Sequence, residues 1–598
     1  MAVMKKPTVW TKVIIATGMV IGIEMALKAV PVNAQSLKVV YPPTNHETTA
    51  ASIFIIGSAP AKGDVIVNGN IVRRSPQGNF APSIPLKVGK NEVVIRYGRE
   101  EVKRTILRKD NQPLWEEVET LSSNLINPRE DVTVLPGENV CFSAITPIDA
   151  KTTVTVGGKK IPLTPDLKQP LPPNSAVLLG ENQTLTNPSH SWQRVTGCAS
   201  FDYTTDSLTP VFSMNYKNKN IERRGNGKIN VLNPQRLPVV EVKSIQGVTR
   251  TGPGVEYSRL TPLPQGVKAR VTGKRGEWLR LDYGGWIRAE ETKILPTNTP
   301  PVSFIRSITS RLTENSLEIV FPLEVQVPIS ILQTTQTLTL TLYNTIAQTD
   351  IIRFDDNPLI EGLDWHQKTP TQVEYLFTFK SPQQWGYDVY YQGSNLILSL
   401  SLPPRLKAQI SGATIVIDPG HGGEELGALG PTGVAEKDVN LRVALLLAQQ
   451  LKRKGATVYL TRETDEFVAL QDRQNIIRKI KPTIALSVHY NALPDGGDAE
   501  TTKGISTYWY HPQARDLAVY LHNYITEKLN RPSYGIYWNN LALTRPHVAP
   551  TVLLELGFMI NPEEFEWITN PQAQEILATT LADAIENWLL EKTATSGN

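Results

Sequence analysis

Two patterns of hydrophobic and polar positions divide the chain near residue 404. Upstream of it, short runs alternate between apolar and polar residues and are separated by Gly- and Pro-bearing turns, which predicts β-strands. Downstream, short apolar runs alternate with segments whose apolar residues recur every three or four positions, such as Val439, Val443, Leu447 and Leu451. That pattern predicts strands alternating with helices, and therefore a mostly parallel sheet flanked by helices. The predicted fold class is multidomain, with N-terminal all-β modules followed by a C-terminal α/β domain.

Turn signals and local composition give the boundaries of the predicted segments. Asn68-Gly69 and Gly157-Gly158 each separate two β-rich runs. The first two modules are therefore predicted to repeat one structure, a small β-sandwich that contains a hairpin. The predicted segments are 35–110 (β-sandwich-like module), 111–206 (second β module), 207–237 (polar linker), 238–295 (small β domain), 296–301 (Pro-rich linker), 302–404 (β domain) and 413–590 (α/β domain).

The first 34 residues predict export. Three lysines precede an apolar run of 11 residues, 13–23, and small residues before Gln35 fit a cleavage site. A transmembrane anchor is the alternative, but a helix that spans a bilayer needs roughly 20 apolar residues. We interpret residues 1–34 as a signal peptide, so we expect an exported mature chain without a transmembrane segment. In an oxidising compartment Cys141 and Cys198 are candidates for a disulfide, and their spacing alone leaves the pairing open.

Composition excludes several classes of protein. A chain of 598 residues is too long for one compact core, and its 40% hydrophobic and 20% charged residues are those of a folded protein. The formal charge of +4, about +1 without the first 34 residues, excludes a nucleic-acid binder that relies on a strong basic field. Two cysteines exclude a disulfide-dense scaffold and a Cys-rich zinc or iron–sulfur site.

Side chains that can bind a metal or carry a proton follow the predicted strands of the α/β domain. His421 comes just after one apolar strand, and His489 and Glu555 end two others. Ligands bind outside the carboxyl ends of the strands in such sheets, so we expect these three side chains to converge at one edge. Each residue alone has a simpler explanation as a surface or core residue, and Glu436 at a helix start also complements the helix dipole.

The domain holds three further histidines. His547 follows Arg545-Pro546 in a predicted loop near Glu555 and stays a possible site residue. His511 and His522 flank or lie on a predicted helix, so we expect them on the surface.

Six separated motifs occur between residues 413 and 590. They are Ile417-Asp418-Pro419-Gly420-His421-Gly422-Gly423, Glu436-Lys437, Leu460-Thr461-Arg462, Leu470 with Arg473, Ser487-Val488-His489-Tyr490-Asn491-Ala492 and Leu554-Glu555-Leu556-Gly557-Phe558. In this order the motifs resemble the zinc-dependent N-acetylmuramoyl-L-alanine amidases of the type-3 family. One departure is the loop 424–428, which lacks the Asp often found before Gly-Ala; it concerns a loop contact and not the metal ligands.

The resemblance implies that His421, Glu436 and His489 bind Zn²⁺ and that Glu555 is the catalytic acid/base. Three protein ligands leave a fourth zinc position for water, whose pKa falls toward roughly 7 on the metal. A carboxylate beside that water can take its proton and pass it to the leaving amine. The implied enzyme hydrolyses the amide between N-acetylmuramic acid and L-alanine of the stem peptide of peptidoglycan, in wall remodelling or cell separation. Asn491 is a candidate for substrate contact, although asparagine is also common in turns.

Two upstream segments resemble domains of wall enzymes. The runs 250–253 and 285–287 are similar to the opening and closing strands of bacterial SH3 domains, which usually bind wall peptides or glycans. Tyr257, Trp278 and Trp286 therefore either form a groove or pack a small barrel. Residues 302–404 are similar to the AMIN domain, a β module that localises wall enzymes.

Two other functions remain open from the sequence. Another zinc hydrolase, a peptidase or a carbohydrate deacetylase, is one, although the chain has no His-Glu-x-x-His motif. A non-catalytic wall-binding protein is the other, and the complete set of four site residues argues against it. An exported chain with an AMIN-like domain favours the periplasm, with secretion as the alternative. The short loop 491–502 leaves no room for the plug helix of the family's regulated members, so we expect localisation by the N-terminal modules to control activity.

Overall fold

A computed structural model describes residues 36–110, 112–179 and 191–594. The predicted signal peptide, 1–34, lies outside these residues. The described chain is multidomain, with a largely β region up to residue 401 and an α/β domain from residue 414. No helix within the described ranges is both long and apolar enough to cross a bilayer.

The first module packs two small sheets around one core. Ile53, Ile55, Val65 and Val93 are fully or almost fully buried between them. The sheet orders are β1-β4-β7 and β2-β10-β9-β5-β6, and β3 pairs with β8. The strands are β1 (Lys38–Tyr41), β2 (His46–Thr48), β3 (Ser52–Phe54), β4 (Ile56–Ser58), β5 (Val65–Val67), β6 (Asn70–Ile71), β7 (Asn79–Phe80), β8 (Ser83–Pro85), β9 (Gly89–Tyr97) and β10 (Glu100–Arg108).

The second module is built on a seven-stranded sheet of order β11-β13-β16-β15-β14-β18-β19. Cys141 on β13 lies opposite Cys198 on β16, and a disulfide joins the two residues. The elements are α1 (Trp115–Glu119), β11 (Ile126–Asn127), β12 (Val132–Val134), β13 (Asn139–Pro147), β14 (Lys151–Val156), β15 (Lys159–Pro165), β16 (Trp192–Ser200), β17 (Thr205–Leu208), β18 (Val211–Tyr216), β19 (Lys219–Arg224) and β20 (Ile229–Val231), with short 3-10 helices at Ser123–Leu125 and Asn174–Leu179.

The interpretation of residues 207–237 as a linker is wrong. Strands β18 and β19 form a hairpin that extends the second module's sheet, and Phe212 and Met214 are fully buried in its core. The polar residues Lys217 and Asn218 that suggested a linker form the hairpin turn, and both have positive φ. Polar turn residues therefore hid a strand whose apolar positions alternate over only four residues.

The domain 238–295 shares a continuous sheet with the second module. Antiparallel pairing of β12 with β25 joins the two into a nine-stranded sheet. The strands are β21 (Val239–Val242), β22 (Gln246–Gly247), β23 (Thr249–Arg250), β24 (Leu263–Pro264), β25 (Lys268–Arg275), β26 (Trp278–Leu281), β27 (Trp286–Arg288) and β28 (Thr292–Leu295), with a 3-10 turn at Ala289–Glu291.

The three aromatic residues predicted for a groove or a barrel core contact their own domain. Arg288 lies over the ring of buried Trp278 at 5.4 Å, and Arg280 lies over Trp286 at 5.9 Å. Tyr257 covers Gly252, where an added Cβ would stand 2.3 Å from the tyrosine ring.

The next β domain packs two sheets face to face. Their orders are β33-β29-β30-β37-β36 and β31-β32-β35-β34. Leu338, Leu340 and Leu342 of β32 are fully buried between the sheets, as their alternation with threonines predicts. The strands are β29 (Ser303–Leu312), β30 (Ser316–Phe321), β31 (Ile329–Gln333), β32 (Thr337–Tyr343), β33 (Thr345–Arg353), β34 (Ile360–Thr369), β35 (Gln372–Phe379), β36 (Tyr387–Gln392) and β37 (Asn395–Ser401).

The α/β domain has a mixed six-stranded sheet of order β39-β38-β40-β43-β41-β42. The first four of these strands are parallel, β41 runs antiparallel to β43, and β42 runs parallel to β41. Helix α6 packs on both α2 and α4, and α2 and α4 pack on the sheet. The elements are β38 (Thr414–Pro419), α2 (Glu436–Arg453), β39 (Thr457–Leu460), α3 (Leu470–Ile480), β40 (Ile484–Asn491), β41 (Ile505–Trp509), α4 (Pro512–Leu529), β42 (Ser533–Trp538), β43 (Thr551–Phe558), α5 (Pro562–Ile568) and α6 (Pro571–Ala594).

The first module packs directly on the α/β domain. Its side chains Phe54, Ile56 and Ala81 share an apolar cluster with Phe558 and Ile560.

Polar contacts extend this interface to the loop between β40 and β41. His46 Nε2 lies 2.9 Å from a carboxylate oxygen of Asp495, and the Tyr41 hydroxyl donates to the other oxygen. The first module therefore holds the loop that follows His489.

Candidate metal centre and active site

The carboxyl ends of parallel strands bring the predicted site residues together. His421 lies in the loop after β38, and His489 and Glu555 are paired across the neighbouring strands β40 and β43. Glu436 is the first residue of α2. The donor atoms of His421, Glu436 and His489 all lie within 4.8 Å of one another.

Glu436 lies at the centre of this cluster and is only 3% exposed. One carboxylate oxygen, Oε1, lies 3.1 Å from His489 Nδ1 and accepts a hydrogen bond from the Tyr490 backbone N–H at 3.1 Å. The other, Oε2, lies 3.3 Å from His421 Nε2 and accepts from the Ala428 backbone N–H at 2.9 Å. Burial alone would raise the pKa of Glu436, but the two imidazoles hold that pKa well below its ordinary value. Glu436 is therefore a carboxylate anion.

His421 responds to the same contact. Burial works to lower its pKa, but the Glu436 carboxylate outweighs burial and raises the pKa of His421. The buried Glu436 anion and the two imidazoles that face it therefore form an environment that favours a bound cation between the three side chains.

The donor set suits zinc. Zinc in proteins takes imidazole nitrogen and carboxylate oxygen ligands at about 2.0–2.2 Å, and catalytic sites use three protein ligands. His421, Glu436 and His489 supply two nitrogens and one carboxylate whose donor atoms face one another. The residues present therefore fit a three-ligand zinc site with a position left for a water or substrate oxygen.

Two buried arginines fix the loop that carries His421. Arg473 is 2% exposed, pairs with the buried Asp418 carboxylate at 2.8 Å, and donates to the backbone oxygens of Pro419 and His421 at 2.7 Å each. Arg462 donates to the backbone oxygen of Gly420 at 2.9 Å. His421 has a φ of +59°, a left-handed conformation that is uncommon outside glycine, so these contacts hold its backbone in place.

The sequence motifs included Asp418, Arg462 and Arg473 but gave them no role. The structure places them under the loop as supports for the first histidine. A charged residue inside an otherwise apolar strand, as Asp418 is, was the signal that pointed to a buried ion pair.

Two glycines allow the backbone to approach the cluster closely. A Cβ at Gly420 would lie 2.1 Å from the His489 ring, and a Cβ at Gly427 would lie 2.5 Å from Glu436 Oε2. The loop that departs from the family pattern is tied down from another element, because Asp465 accepts a hydrogen bond from the Gly423 backbone N–H at 2.8 Å. Lys437 pairs with the same carboxylate at 2.6 Å.

Glu555 lies beside the cluster and differs from Glu436 in the direction in which its pKa is shifted. Its Oε2 atom is covered and has no hydrogen-bond partner among the residues that the structure describes. Burial, followed by repulsion from the Glu436 carboxylate, raises the pKa of Glu555 well above its ordinary value. The pKa values of these two neighbouring carboxyl groups are thus shifted in opposite directions, which is the arrangement expected of a metal ligand and a proton carrier.

Two other predicted residues are not among the metal donors, and contact of Asn491 with a substrate stays a prediction. The Asn491 side-chain oxygen accepts a hydrogen bond from the Ala492 backbone N–H at 2.9 Å, which is a local contact with the next residue. His547 is buried outside the metal cluster and stacks on Tyr387 at 4.7 Å.

The expectation for His522 is wrong. It is 3% exposed, because it lies on the inner face of α4 beside Leu521 and Ile525, and its Nε2 bonds to Ser533 at 2.7 Å. His511 is partly buried, and its Nε2–H donates to the backbone oxygen of Arg545 at 2.8 Å.

Comparisons with known proteins agree on the C-terminal domain. Residues 415–587 match the sequence profile of the family described as N-acetylmuramoyl-L-alanine amidase. The chain is 36% identical over 182 residues to the probable cell wall amidase LytH of Staphylococcus aureus. The matched region covers 60% of that relative and 30% of this chain.

Two solved structures match the same part of the chain. The N-acetylmuramoyl-L-alanine amidase AmiC2 of Nostoc punctiforme is 31% identical, with 99% of that chain and 30% of this one covered, at a TM-score of 0.29. The catalytic domain of the amidase CwlV from Bacillus (Paenibacillus) polymyxa var. colistinus is 30% identical, with 98% and 30% covered, at a TM-score of 0.28. By the family profile that it matches, the α/β region of this chain, residues 415–587, is an N-acetylmuramoyl-L-alanine amidase domain.

Proposed function

We propose that this protein is a zinc-dependent N-acetylmuramoyl-L-alanine amidase of peptidoglycan. The observation that carries the proposal is the pairing of a three-donor cluster, His421, Glu436 and His489, with a separate carboxyl group, Glu555, on the neighbouring strand. The bond cleaved is the amide between the lactyl carbonyl of N-acetylmuramic acid and the amino group of L-alanine. Hydrolysis leaves a carboxylate on the glycan and a free N-terminus on the stem peptide.

His421, Glu436 and His489 would hold the zinc ion, which supplies Lewis acidity toward the scissile carbonyl and toward water. Arg473 and Arg462 hold the His421 loop, so that this ligand is positioned before zinc or substrate arrives.

Glu555 carries the proton. Its raised pKa and its unpartnered Oε2 suit a group that accepts a proton from the attacking water and then donates it to the leaving amine nitrogen. Glu436 keeps a lowered pKa, so it remains an anionic ligand while Glu555 exchanges the proton.

Residues upstream of the amidase domain are proposed to place the enzyme on the wall. The signal peptide over 1–34, the SH3-like segment 238–295 and the AMIN-like segment 302–404 together support an exported, wall-associated enzyme. We propose a periplasmic location, with cell-wall remodelling or cell separation as the role. The stretch between β40 and β41, which the structure describes throughout, contains no helix, in keeping with an active site that has no plug.

The test compares the mature chain, residues 35–598, with its Glu555→Gln variant on purified peptidoglycan in the presence of zinc. We expect new N-terminal alanine and released stem peptides from the wild-type protein, and a rate lower by about 10²–10⁴-fold from Glu555→Gln, the usual contribution of a general acid/base. Both proteins should bind one zinc ion, because Glu555 is not a ligand. His421→Ala should lose both zinc and activity.

The product distinguishes the rival reactions. Cleavage within the stem peptide would identify a peptidase, and release of acetate would identify a deacetylase. Zinc binding without any product would favour a wall-binding protein and would contradict the proposal.

A further inference from the structure

A cavity of about 580 Å³ lies where three domains meet, and we call it the three-domain cavity. Its walls come from the 259–262 loop of the SH3-like segment, from β31 and β36 of the AMIN-like segment, and from α3 and the ends of β41 and β42 of the amidase domain. Its size is that of a site for a small organic ligand. It lies away from the metal centre, because β41 runs antiparallel to β43 and ends near the start of that strand.

Two arginines give this cavity an excess of positive charge. Among the described residues, the Arg259 side chain has no hydrogen bond or ion pair, and the Arg545 guanidinium donates only to the neutral Asn540 side chain, at 2.8 Å. Burial lowers the pKa of Arg545 to about 10, with repulsion from Arg259 as the next cause. The Glu291 carboxylate attracts Arg259 and accepts a hydrogen bond from the Val248 backbone N–H at 2.8 Å, so one carboxylate offsets only part of the charge of the two arginines. A bound anion would relieve this unfavourable charge.

A buried histidine, His547, forms part of the cavity wall. His547 is 8% exposed, and its Nε2 has no hydrogen-bond partner in the described part of the chain; the closest carboxylate oxygen, on Asp388, is 4.0 Å away. Asp388 is already paired with Arg478 at 3.2 Å and Lys481 at 2.9 Å. The covered Nε2 atom lies nearest to Asp388, which does not line the cavity, so His547 is a structural part of the wall, and it is the two arginines that point to a ligand.

Aromatic and amide side chains define the rest of the wall. The Trp538 ring is 61% exposed and lies 5.2 Å from the Tyr510 ring, which offers a flat apolar platform beside Arg545. Amide groups on α3, Gln471, Gln474 and Asn475, provide donors and acceptors for hydroxyl groups. A sugar ring has both an apolar C–H face and hydroxyls, whereas a stem peptide of small residues has no flat face for the indole.

We propose that the three-domain cavity binds a pyranose sugar that carries a carboxylate. The sugar ring lies on Trp538 and Tyr510, and the carboxylate lies between Arg259 and Arg545. The proposed amidase activity would produce such a ligand. The inference rests on the proposed function only in taking the ligand to be a product of that reaction. Amide hydrolysis leaves a free lactyl carboxylate on each muramic acid residue, so the cavity would recognise the glycan product rather than the uncut substrate.

Binding is measured by calorimetry and tryptophan fluorescence on the mature chain, residues 35–598, after zinc removal so that the metal centre contributes nothing. The probes are N-acetylmuramic acid, N-acetylglucosamine, which has the same ring without the lactyl carboxylate, and a free stem peptide. We expect N-acetylmuramic acid to bind at least about tenfold more tightly than the other two, which is the worth of one charge-assisted contact.

Variants locate the bound probe. Arg259→Gln and Arg545→Gln should each weaken N-acetylmuramic acid by at least about tenfold, whereas Arg259→Lys should retain part of the affinity. Trp538→Ala, at a position 61% exposed and therefore tolerant of change, should weaken the sugar without unfolding the protein. Arg236→Gln, on an exposed turn outside the cavity, is the matched control and should bind as the wild type does.

Each outcome decides for or against the proposal. Equal binding of both sugars, stronger binding of the stem peptide, unchanged binding by the arginine variants, or no binding would overturn it. Glu555→Gln separates the two proposals, since this variant should bind N-acetylmuramic acid normally. Cavity binding without wall hydrolysis would refute the amidase and leave the cavity proposal standing.

Discussion

Replacement of Gly420 by alanine tests the metal centre through a single methyl group. The added Cβ would lie 2.1 Å from Cε1 of His489, whereas ordinary contacts begin near 3.4 Å. The imidazole must therefore retreat by about 1.3 Å, several times the ~0.2 Å tolerance of a zinc–ligand distance. Under the proposed function, the zinc ion would lose one of its three protein ligands. Since loss of a mere supporting contact weakens binding by 10–100-fold, we expect zinc affinity to fall by at least about 100-fold, or about 2.7 kcal/mol.

Competition with a chromogenic chelator measures this affinity. Gly362→Ala is the matched control, because Gly362 lies on β34, has no atom within 4 Å of an added Cβ and, like Gly420, does not have a positive φ. Equal zinc affinity in Gly420→Ala and Gly362→Ala would refute the reasoning, since His489 could then not be a ligand in the position described.

Three further predictions concern stability. Arg473→Met should reduce hydrogen-exchange protection of β38 and β40 by about 3–5 kcal/mol, because it leaves the buried Asp418 carboxylate without its ion-pair partner. Asp418→Asn in the same chain should restore part of that loss, and additive losses would contradict the buried pair. Paired Cys141→Ala and Cys198→Ala substitutions should cost the second module about 4 kcal/mol, the chain-entropy value for a bridge between residues 57 apart, as judged by exchange in β13 and β16. Burial works to raise the pKa of Asp495, but hydrogen bonds from the first module lower it. The contact should therefore persist above the ordinary carboxyl pKa near 3.9 and be lost as the pH falls through the lowered value. Exchange of residues 493–502 should rise there, and Asp495→Asn should abolish this step.

The amidase domain could be predicted from the sequence because its signals are local. Apolar runs and helical periodicity predicted strands alternating with helices, and the periodic residues Val439, Val443, Leu447 and Leu451 are all buried on α2. The site followed because parallel strands place their carboxyl ends together, which brought His421, His489 and Glu555 to one edge. The sequence pattern did not predict strand β41, because an antiparallel strand needs no crossover helix before it and so lacks that signal.

Features made by distant parts of the chain could not be predicted. The turn at Lys217 and Asn218 resembled a linker because only pairing with β14 reveals β18 as a strand. His547 was predicted as a possible site residue near Glu555, but it lies outside the metal cluster and stacks on Tyr387, which is 160 residues earlier in the sequence. Periodicity describes one element at a time, so it contains no information on which domains meet.

The contact between the first module and the amidase domain also sets an order of assembly. Tyr41 and Asp495 are 454 residues apart, and Arg73 pairs with Glu563 across 490 residues. A nascent chain exposes Phe54, Ile56 and Ala81 long before Phe558 has been synthesised. The first module therefore cannot bury this apolar surface until the C-terminal domain has been made. The exposed apolar patch in that interval is a site at which incomplete chains would associate with one another. Truncation from either end would recreate that intermediate permanently.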